Sequence, residues 1–423
     1  MELRVGAMAS GGGCVARGPD GKVVFVRHAL PGELVRAEVT SETAKFLRAD
    51  AVAVLEPSPD RVDPPCRFAG PGRCGGCDWQ HVDVAAQRRL KADMVAEQLR
   101  RLAGVDRPVV VEEVPGAADG LGWRTRVRFA VDDDGRAGFR GHRSHAVVPV
   151  DRCLLATPEV ESAGVEGRRW PAVADVEVFG GPGLDGRVTS VVGDRRRRVP
   201  ADALPGGPGG LVVDGRTVRP PRRLAVDVLG HRFMVSSGVF WQVHSGAPAL
   251  LARAVLDALS ARPGEAVADL YAGVGLFAVL LARAVGPTGS VTAVERDRRA
   301  CADAVGNAER LVKGESAKVS VVRTSVTPRL VGRELGNPDL VVLDPAREGA
   351  GQPVMAALAK LRPAPRRIAY ISCDAASFSR DVKVLFDAGW SMPSLRAFDL
   401  FSMTEHVELL GVLEPPQGPP LRP

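Results

Sequence analysis

The chain has 423 residues, and at roughly 100–200 residues per domain this length predicts about two to four domains. Hydrophobic residues make up 45% and charged residues 25%, a composition typical of folded proteins that excludes wholesale disorder. Lys and Arg total 56 against 50 Asp and Glu, so the net charge is +6. Such a mild basic excess permits a nucleic acid partner but does not require one.

Membrane and secretion signals are absent from the sequence. There is no apolar run of about 18 residues, as a transmembrane helix would need, and the first residues lack the pattern of a signal peptide. We therefore expect a cytoplasmic protein with no membrane partner. In a reducing compartment its seven cysteines are expected to serve metal, redox or catalytic roles rather than disulfides.

Residues 1–57 have the pattern of a small β domain. Short apolar runs alternate with turns rich in Gly and Pro, and strands are predicted at 14–17, 23–26, 34–39 and 51–55. About five short strands in fewer than 60 residues predict an OB-like β-barrel. An SH3-like barrel without a role in nucleic acid binding remains the alternative.

Residues 58–235 are expected to form an α+β central domain. The segment 58–80 is irregular and rich in Pro, Gly and Cys, a helix is predicted over 87–101, and β character resumes at 123–150. Residues 160–220 carry few periodic signals.

The third domain is predicted to span 236–423, where strands and helices alternate from about residue 245. Strands are predicted at 267–271, 290–295, 318–323, 339–343 and 367–371. Helices are predicted at 247–259, 275–284, 297–312, 352–361 and 375–387, followed by a strand pair near 395–400 and 406–413. This alternation predicts a mostly parallel, doubly wound Rossmann-like α/β sheet.

A glycine loop follows the first predicted strand of that sheet. Gly273 and Gly275 allow a close approach of the backbone to a ligand, and Glu295 ends the next strand, where a carboxylate can accept hydrogen bonds from ribose hydroxyls. The loop by itself is compatible with NAD, with S-adenosylmethionine (SAM), or with a purely structural turn.

Two more strands of the sheet end in reactive side chains. Asp344 follows the fourth predicted strand and Cys373 follows the fifth. Ligands of open α/β sheets bind at the carboxyl ends of the strands, so both side chains are expected in the same crevice as the glycine loop. A free cysteine there is a candidate nucleophile, whereas an isolated buried cysteine would usually be only a packing residue.

Several motifs of this region are similar to those of a known family. They are Phe240-Trp241-Gln242-Val243, the glycine loop, Asp344-Pro345-Ala346-Arg347-Glu348-Gly349, Ser372-Cys373 and His406-Val407-Glu408. Together they resemble the motifs of the SAM-dependent RNA 5-methyluridine (uracil-5-) methyltransferases, and the resemblance extends over nearly the whole chain.

The resemblance implies a role for each matching residue and favours SAM over NAD as cofactor. It implies that Cys373 is the nucleophile and Glu408 the base. The cofactor-binding residues that it implies are Gln242, Tyr271, Gly273, Glu295 and Asp344. Attack of a thiolate on C6 of uracil makes C5 nucleophilic toward the methyl group, and a carboxylate must then remove the C5 proton. The target base has to leave its stack to reach the thiol.

Two positions depart from the family pattern. Asp374-Ala375 replaces the family's Asn-Pro after the nucleophile, and Ala346 replaces the second proline of Asp-Pro-Pro-Arg. If the family's Asn holds the uracil edge, Asp374 would alter base recognition. Because Cys373 and Glu408 are both present, we do not infer an inactive relative.

Four further cysteines suggest a metal site. Cys66, Cys74 and Cys77 form a compact triplet, and Cys153 lies far along the chain. Four thiolates in a reducing compartment are typical of zinc or of an iron–sulfur cluster. The family resemblance implies a [4Fe–4S] cluster on these four residues and an N-terminal barrel of the TRAM type, which binds RNA.

The sequence as a whole predicts a monomeric enzyme that methylates C5 of a specific uridine in structured RNA. Ribosomal RNA is the expected substrate and transfer RNA the first alternative. A non-catalytic RNA-binding or ribosome-assembly protein on the same fold is the second alternative, and an NAD-dependent oxidoreductase is the third.

Overall fold

The structure is a computed structural model that describes residues 1–194 and 198–416. The first five strands are β1 (Glu2–Arg4), β2 (Cys14–Arg17), β3 (Val23–Arg27), β4 (Leu34–Glu42) and β5 (Phe46–Glu56). They form one sheet in the order β1-β4-β5-β3-β2. Hydrogen bonds from the Gly6 N–H to the Val15 carbonyl (2.7 Å) and from the Val15 N–H to the Ala7 carbonyl (3.0 Å) join its two edges. The sheet thereby closes on itself, as the sequence predicts.

The core of this barrel is completed from outside the first 57 residues. Trp79, Val82, Ala86 and Met94 are buried in the same apolar cluster as the inward side chains of the strands. The barrel therefore shares its core with the segment that follows it, because five short strands alone leave one end of the core uncovered.

A long helix connects the barrel to the rest of the chain. Helix α1 (Val84–Gln98) begins at Asp83, whose side chain accepts a hydrogen bond from the Ala86 N–H, as expected of an N-cap. It continues into a π-helical turn, Leu99–Ala103, and ends at Gly104 with φ of 71°. The helix starts three residues before the predicted position at 87, since capping by Asp83 was not considered.

The middle of the chain forms a seven-stranded sheet in the order β13-β12-β11-β10-β7-β8-β9. Its elements are β7 (Arg126–Val131), β8 (Ala137–Arg140), β9 (Val147–Pro149), α2 (Pro158–Glu161), β10 (Val173–Gly180), β11 (Arg187–Gly193), β12 (Gly210–Val213) and β13 (Arg216–Arg219), and the short strand β6 (Val111–Glu112) precedes them. Four of these strands lie in the region 160–220, which carries few periodic signals in the sequence. Among them, β10 pairs with both β7 and β11, and its Val176 and Val178 are buried.

The last third of the chain is an α/β unit entered through a hairpin. The elements are β14 (Arg223–Val228), β15 (His231–Ser236), α3 (Ala247–Leu259), β16 (Ala266–Leu270), α4 (Leu276–Val285), β17 (Ser290–Glu295), α5 (Arg298–Ala308), β18 (Lys318–Arg323), β19 (Leu340–Leu343), α6 (Gln352–Ala359), β20 (Arg367–Ser372), α7 (Ala375–Asp387), β21 (Ser391–Phe398) and β22 (Glu408–Glu414). The predicted alternation is observed, with element ends within a few residues of the prediction.

The sheet of this unit has the order β18-β17-β16-β19-β20-β22-β21-β6. Strands β16 to β20 pair in parallel, and β22 runs antiparallel between β20 and β21. All four residues of β19 are buried, because helices cover both faces of a parallel sheet. Strand β6, from residues 111–112, pairs in parallel with β21, so a segment of the predicted central domain belongs to this sheet.

No helix among residues 1–194 and 198–416 is long and apolar enough to span a bilayer.

Candidate active site

A cavity of about 930 Å³ opens at the carboxyl ends of the parallel strands. All the residues predicted to bind the cofactor or to carry the chemistry line it, namely Gln242, Tyr271, Gly273, Glu295, Asp344, Cys373 and Glu408. They come from six separate segments of the chain, and the order of the strands places them together. The crevice has the size expected of a site for a cofactor together with a flipped base.

The glycine loop is held in a tight conformation on the strand ends. Gly273 and Gly275 have φ of 55° and 85°, in the left-handed region that favours glycine, and Tyr271 adopts φ of 68° despite its side chain. The Gly273 N–H donates to Glu295 Oε2 (3.0 Å), while Glu295 Oε1 accepts from the two backbone N–H groups that follow it. Glu295 thus fixes the loop and its own orientation at the cavity wall.

Asp269 lies directly beneath this loop and is fully buried. Its Oδ2 accepts from the Ala278 N–H (2.8 Å), and its Oδ1 has no hydrogen-bond partner. Burial raises the pKa of Asp269 to about 7, with a further contribution from the negative charge of Asp344.

Gln242 and Asp344 contact each other although they are far apart in sequence. The Gln242 amide donates to Asp344 Oδ2 (3.4 Å); Gln242 is buried and Asp344 is half-buried in the cavity wall. This contact joins the segment that precedes α3 to the carboxyl end of β19.

Cys373 lies between the end of β20 and the start of α7. The pKa of its thiol is raised to about 12, mainly by burial and also by the charges of Glu408 and Asp344, while the guanidinium of Arg347 opposes the rise. Its position just before the N-terminus of α7 also favours the thiolate, because the helix dipole stabilises negative charge there. The protein therefore holds the thiol protonated until a base or an added positive charge assists its ionisation.

Asp344 and Glu408 form a buried pair of carboxylates. Burial raises the pKa of Asp344 to about 7, and burial together with the charge of Asp344 raises the pKa of Glu408 well above its usual value. Two carboxylates in such surroundings cannot both be charged at low cost, so the pair retains a proton near neutral pH. A carboxylate with a raised pKa is suited to accept a proton from carbon.

An arginine and a histidine flank the reactive groups on the solvent side. Arg347 Nη2 lies 2.8 Å from His406 Nε2, and burial, followed by the charge of Arg347, lowers the pKa of His406 to about 4. His406 is thus neutral near pH 7 and accepts from the guanidinium. This interaction orients Arg347 toward Cys373.

Asp374 has a structural role in helix α7. Its Oδ1 accepts from the Ser377 N–H (2.7 Å) and from the Ser377 hydroxyl (2.9 Å), so it is the N-cap of the helix that begins at Ala375. Its carboxylate is directed at the helix end, which accounts for an acidic residue after the nucleophile. The expectation that Asp374 alters base recognition stays a prediction.

Helix α1 anchors the loop that carries His406, defined here as the 399–407 loop. The Lys91 ammonium donates to Asp399 Oδ1 (2.5 Å) and to the Phe401 carbonyl (3.1 Å), and Lys91 is completely buried. The side-chain oxygen of Gln87 accepts from the Met403 N–H (2.7 Å). The sequence analysis did not single out Lys91, because a lysine on a helix is normally solvent-exposed.

Two further residues line the cavity. Phe240, which belongs to the motif that includes Gln242, is 64% exposed, so its ring is available to stack on a base. Arg124 lines the same cavity, and its Nε is buried without a hydrogen-bond partner. The sequence analysis missed Arg124, because it belongs to a short irregular segment whose position depends on packing.

The four cysteines predicted to bind a metal lie near one another. The pKa of Cys77 is raised to about 12, mainly by burial, and Cys153, Cys74 and Cys66 are all close enough to raise it further. Burial likewise raises the pKa of Cys153 to about 11. The Cys74 sulfur accepts from the Gly76 N–H and the Cys77 sulfur from the Gln80 amide, each at 3.4 Å.

Within the described part of the chain, no three His, Cys, Asp or Glu side chains are grouped closely enough to bind a single metal ion. A tetrahedral zinc site needs all four sulfurs within about 2.3 Å of one ion, whereas the cysteine sulfurs that bind a multinuclear cluster lie farther apart. The [4Fe–4S] cluster on Cys66, Cys74, Cys77 and Cys153 stays a prediction.

Comparison with known proteins identifies the domain at the N-terminus. Residues 1–52 match the TRAM domain family, which confirms the prediction from the sequence.

Two relatives of known family are similar over nearly the whole chain. An uncharacterized RNA methyltransferase from Streptomyces coelicolor is 46% identical over 433 residues, which cover 98% of this chain and 92% of the relative. The 23S rRNA (uracil(1939)-C(5))-methyltransferase RlmD from Halomonas elongata is 33% identical over 449 residues, covering 99% of this chain and 90% of the relative.

A solved structure has the same fold over the whole length. The tRNA (uracil-54, C5)-methyltransferase from Pyrococcus abyssi, in complex with S-adenosyl-L-homocysteine, superimposes with a TM-score of 0.72 at 21% identity and covers 98% of this chain and 100% of its own. At the identities found for the two relatives, family membership is shown: the chain belongs to the RNA methyltransferase family that includes the 23S rRNA uracil-C5 methyltransferase of Halomonas elongata.

Proposed function

We propose that the protein transfers a methyl group from SAM to C5 of a uridine in RNA through a covalent adduct with Cys373. The observation that carries this proposal is the convergence of Cys373, Asp344 and Glu408 in the cavity that also contains the glycine loop. A thiol, a base and a cofactor loop in one crevice are what the reaction requires.

The residues around the cavity fit SAM. The cavity offers an amide, an aromatic ring, two carboxylates and a glycine that lets the backbone approach the ligand. The residues that provide these groups, and that we propose hold SAM, are Gln242, Tyr271, Gly273, Glu295 and Asp344. When bound, SAM supplies the methyl group as an electrophile on a positively charged sulfur.

Cys373 performs the first step on the base. Its thiol proton passes to water, its sulfur forms a bond to C6 of uracil, and the electrons of the C5–C6 double bond move into the ring carbonyl as an enolate. C5 thereby becomes nucleophilic enough to take the methyl group. The guanidinium of Arg347 favours the thiolate, because it opposes the effect of the two nearby carboxylates.

Glu408 performs the last step. After methylation C5 carries both the methyl group and a hydrogen, and Glu408 accepts that hydrogen as a proton. The electrons of the C–H bond restore the C5–C6 double bond and expel the thiolate of Cys373. Glu408 accepts this proton in its ionised form, so the proton that the carboxylate pair retains must lie on Asp344 at this step.

We propose ribosomal RNA as the substrate, with transfer RNA as the alternative. The support for ribosomal RNA is the sequence similarity to the Halomonas enzyme over both whole chains. The Pyrococcus enzyme that acts on transfer RNA shares the fold at lower identity, so transfer RNA remains a candidate.

We further propose that Cys66, Cys74, Cys77 and Cys153 hold a [4Fe–4S] cluster that stabilises the irregular segment between the barrel and α1. Support comes from the closeness of the four thiols and from the N–H···S hydrogen bonds to Cys74 and Cys77, which are contacts that stabilise cluster thiolates. The cluster would be able to carry electrons, but no step of the proposed methyl transfer is an electron transfer.

For the remaining organisation we propose an RNA-binding barrel at 1–57, a central domain at 58–235 and a catalytic domain at 236–423, acting as a cytoplasmic monomer. The TRAM match over residues 1–52 supports the first boundary. Size measurement by light scattering in solution tests the monomer.

The test of the proposed activity uses labelled SAM and RNA. Wild type should incorporate label into C5 of uridine, and mapping of methylated uridines in a deletion strain should identify the RNA.

Glu408→Gln retains the shape but cannot accept the C5 proton, so it should accumulate a protein–RNA adduct that survives denaturing gels. RNA that contains 5-fluorouridine should trap wild type in the same way, because fluorine does not leave as a proton does.

The same experiment distinguishes the proposed enzyme from a non-catalytic RNA-binding protein. Such a protein would retain RNA but form neither labelled uridine nor adduct. An adduct that persists in Cys373→Ala would overturn the assignment of the nucleophile.

A further inference from the structure

A tight turn of the barrel lies against the catalytic part of the molecule. It connects β1 to β2 and is defined here, by its residues, as the 9–13 turn. Gly11 and Gly12 in it have φ of 103° and 73°, in the left-handed region that favours glycine. A Cβ atom on Gly12 would lie 3.5 Å from the Cβ atom of Glu405. The turn is therefore in contact with the 399–407 loop.

Hydrogen bonds hold the 9–13 turn in this position. The Gly11 N–H donates to Glu405 Oε2, and the Gly12 carbonyl accepts from the indole N–H of Trp79 (3.1 Å). Trp79 is completely buried, and its backbone N–H donates to the Met403 carbonyl (3.0 Å) in the 399–407 loop. The barrel, the segment that follows it and the 399–407 loop thus meet at one point.

Glu405 contacts the barrel, whereas its two neighbours in the chain face the catalytic cavity. Thr404 and His406 line that cavity, while the carboxylate of Glu405 accepts from the 9–13 turn. The backbone N–H of Glu405 donates to the carboxylate of Asp78. Glu405 is therefore held by both its side chain and its backbone, and this fixes the part of the loop from which His406 projects.

His406 extends this chain of contacts to the thiol. Its Nε2 accepts from Arg347 Nη2 (2.8 Å), and the positive charge of Arg347 lowers the pKa of Cys373 against the larger effect of burial. Arg347 is exposed, so without the hydrogen bond to His406 its long side chain would be free to adopt many rotamers. A path of direct contacts therefore leads from the barrel to the group that favours the thiolate.

We propose that Glu405 is a positioning residue that makes the orientation of Arg347, and through it the reactivity of Cys373, depend on docking of the barrel. The inference rests on the proposed function, because it concerns the nucleophile of that reaction. While the 9–13 turn is docked, Glu405 is held and His406 keeps Arg347 beside the thiol. When the turn is released, the loop loses this support and the guanidinium leaves the thiol. The effect needs no bound RNA, so it is separate from any affinity of the barrel for RNA.

The test is the rate at which iodoacetamide alkylates Cys373 at about pH 8, without RNA or SAM. Mass spectrometry of the peptide that contains Cys373 follows this one thiol among the seven cysteines. Loss of a nearby positive charge raises a thiol pKa by about one unit or more, which leaves about tenfold less thiolate. Because a less acidic thiol is a stronger nucleophile, the net effect of one unit is smaller, and Glu405→Ala should slow alkylation about threefold.

The direction of the change distinguishes positioning from loss of structure. Burial is the main reason for the raised pKa of Cys373, so a variant that opens or unfolds the site would expose the thiol and speed alkylation. Glu405→Gln retains an oxygen that can accept from the Gly11 N–H and should react at the wild-type rate. Glu56→Ala is the matched control, because Glu56 is an exposed barrel residue that pairs with Arg4, and it should have no effect.

Gly12→Ala tests the same link from the barrel side. The φ of 73° disfavours any side chain at this position, and the added Cβ atom would lie 3.4 Å from that of Asp78 and 3.5 Å from that of Glu405. The turn has to shift, so Gly12→Ala should slow alkylation of Cys373 about as much as Glu405→Ala does. The double variant should be no slower than either single variant, because both changes break the same link.

Turnover supplies a second measurement. Glu405→Ala should lower kcat several-fold and leave KM for RNA unchanged, because the residue acts on the thiol and not on RNA binding. Unchanged or faster alkylation of Cys373 in Glu405→Ala, a loss in Glu405→Gln equal to that in Glu405→Ala, or additive effects in the double variant would overturn the inference. Absent methyl transfer by wild type would refute the proposed function instead, and it would leave the alkylation result as it stands.

Discussion

Two half-buried cysteines, Cys373 and Cys77, have different surroundings. Cys373 lies near three carboxylates and an arginine, whereas Cys77 lies near three more cysteines. Burial raises the pKa of both thiols to about 12. Desolvation alone therefore does not distinguish a nucleophile from a metal ligand.

The neighbours of each thiol make the distinction. Near Cys373, Glu408 can take up a proton and Arg347 can stabilise negative charge, which are the properties that a reversible covalent step requires. Near Cys77 the polar neighbours are thiols and N–H donors, which suits ligands whose negative charge is compensated by metal ions. Arg124 connects the two environments, because its charge lowers the pKa values of Cys74 and Cys153 and also that of His406.

The largest expected effect is the loss of methyl transfer when Cys373 or Glu408 is replaced. Cys373→Ala should reduce methyl transfer below detection with little change in stability, because the thiol is used only in the reaction. Glu408→Gln should reduce turnover about 10²–10⁴-fold, as expected for loss of a general base. The control is Cys14→Ala, which changes a buried cysteine in the barrel and should leave methyl transfer unchanged. A Glu408→Gln enzyme with the wild-type rate would remove Glu408 from the mechanism.

Cys77→Ala should have the opposite pattern. It should lose iron, broad absorbance near about 400 nm and solubility together, because the segment that it stabilises has little apolar core of its own. Iron and acid-labile sulfide are measured on protein purified without oxygen. Colourless protein with stoichiometric zinc would contradict the cluster, and Cys373→Ala should retain the colour of wild type.

Lys91→Met tests the anchor of the 399–407 loop. Removal of one partner of a buried ion pair should lower the free energy of unfolding by about 3–5 kcal/mol, because Asp399 is left buried and unpaired. Lys91→Met/Asp399→Leu should recover much of that loss. Lys383→Met removes an exposed lysine that pairs with Asp387 and should cost less than about 1 kcal/mol. Urea unfolding measures all three, and equal effects at Lys91 and Lys383 would refute the anchor.

Asp344→Asn should increase stability in a pH-dependent way. The folded-state pKa of Asp344, about 7, is above the unfolded value, so the folded protein holds more protons between those values and its stability falls as pH rises from about 4 to about 7. The substitution removes this loss and should raise the free energy of unfolding by more than about 1 kcal/mol at pH 8, but not at pH 4. Leu340→Ala, in the same strand, should destabilise at both pH values.

A gain in stability from Asp344→Asn that does not depend on pH would contradict the raised pKa. The expected loss of methyl transfer in the same variant would show that the carboxylate is retained for function at a cost in stability.

The catalytic part of the molecule could be predicted from the sequence in some detail. The first and last residues of α3 and α7 are the predicted ones. They could be predicted because the helical spacing of apolar residues and the N-cap at Asp374 depend only on residues close together in the chain. Strand β10 was missed, because its alternation is short and lies among Gly- and Pro-rich turns. Its conformation depends on pairing with β7 and β11, to which local propensity contributes little.

The sequence by itself determined which residues could carry the chemistry. Thiol, carboxylate and glycine turn occur at strand ends, and their positions follow from local periodicity and turn chemistry. Only the tertiary structure decided that Asp344 raises the pKa of Glu408, that Lys91 is buried beside Asp399, and that Gly75 lines the cavity while it packs against the turn between β8 and β9. These properties depend on distances between segments far apart in the chain and on exclusion of water, and neither is encoded in a local pattern.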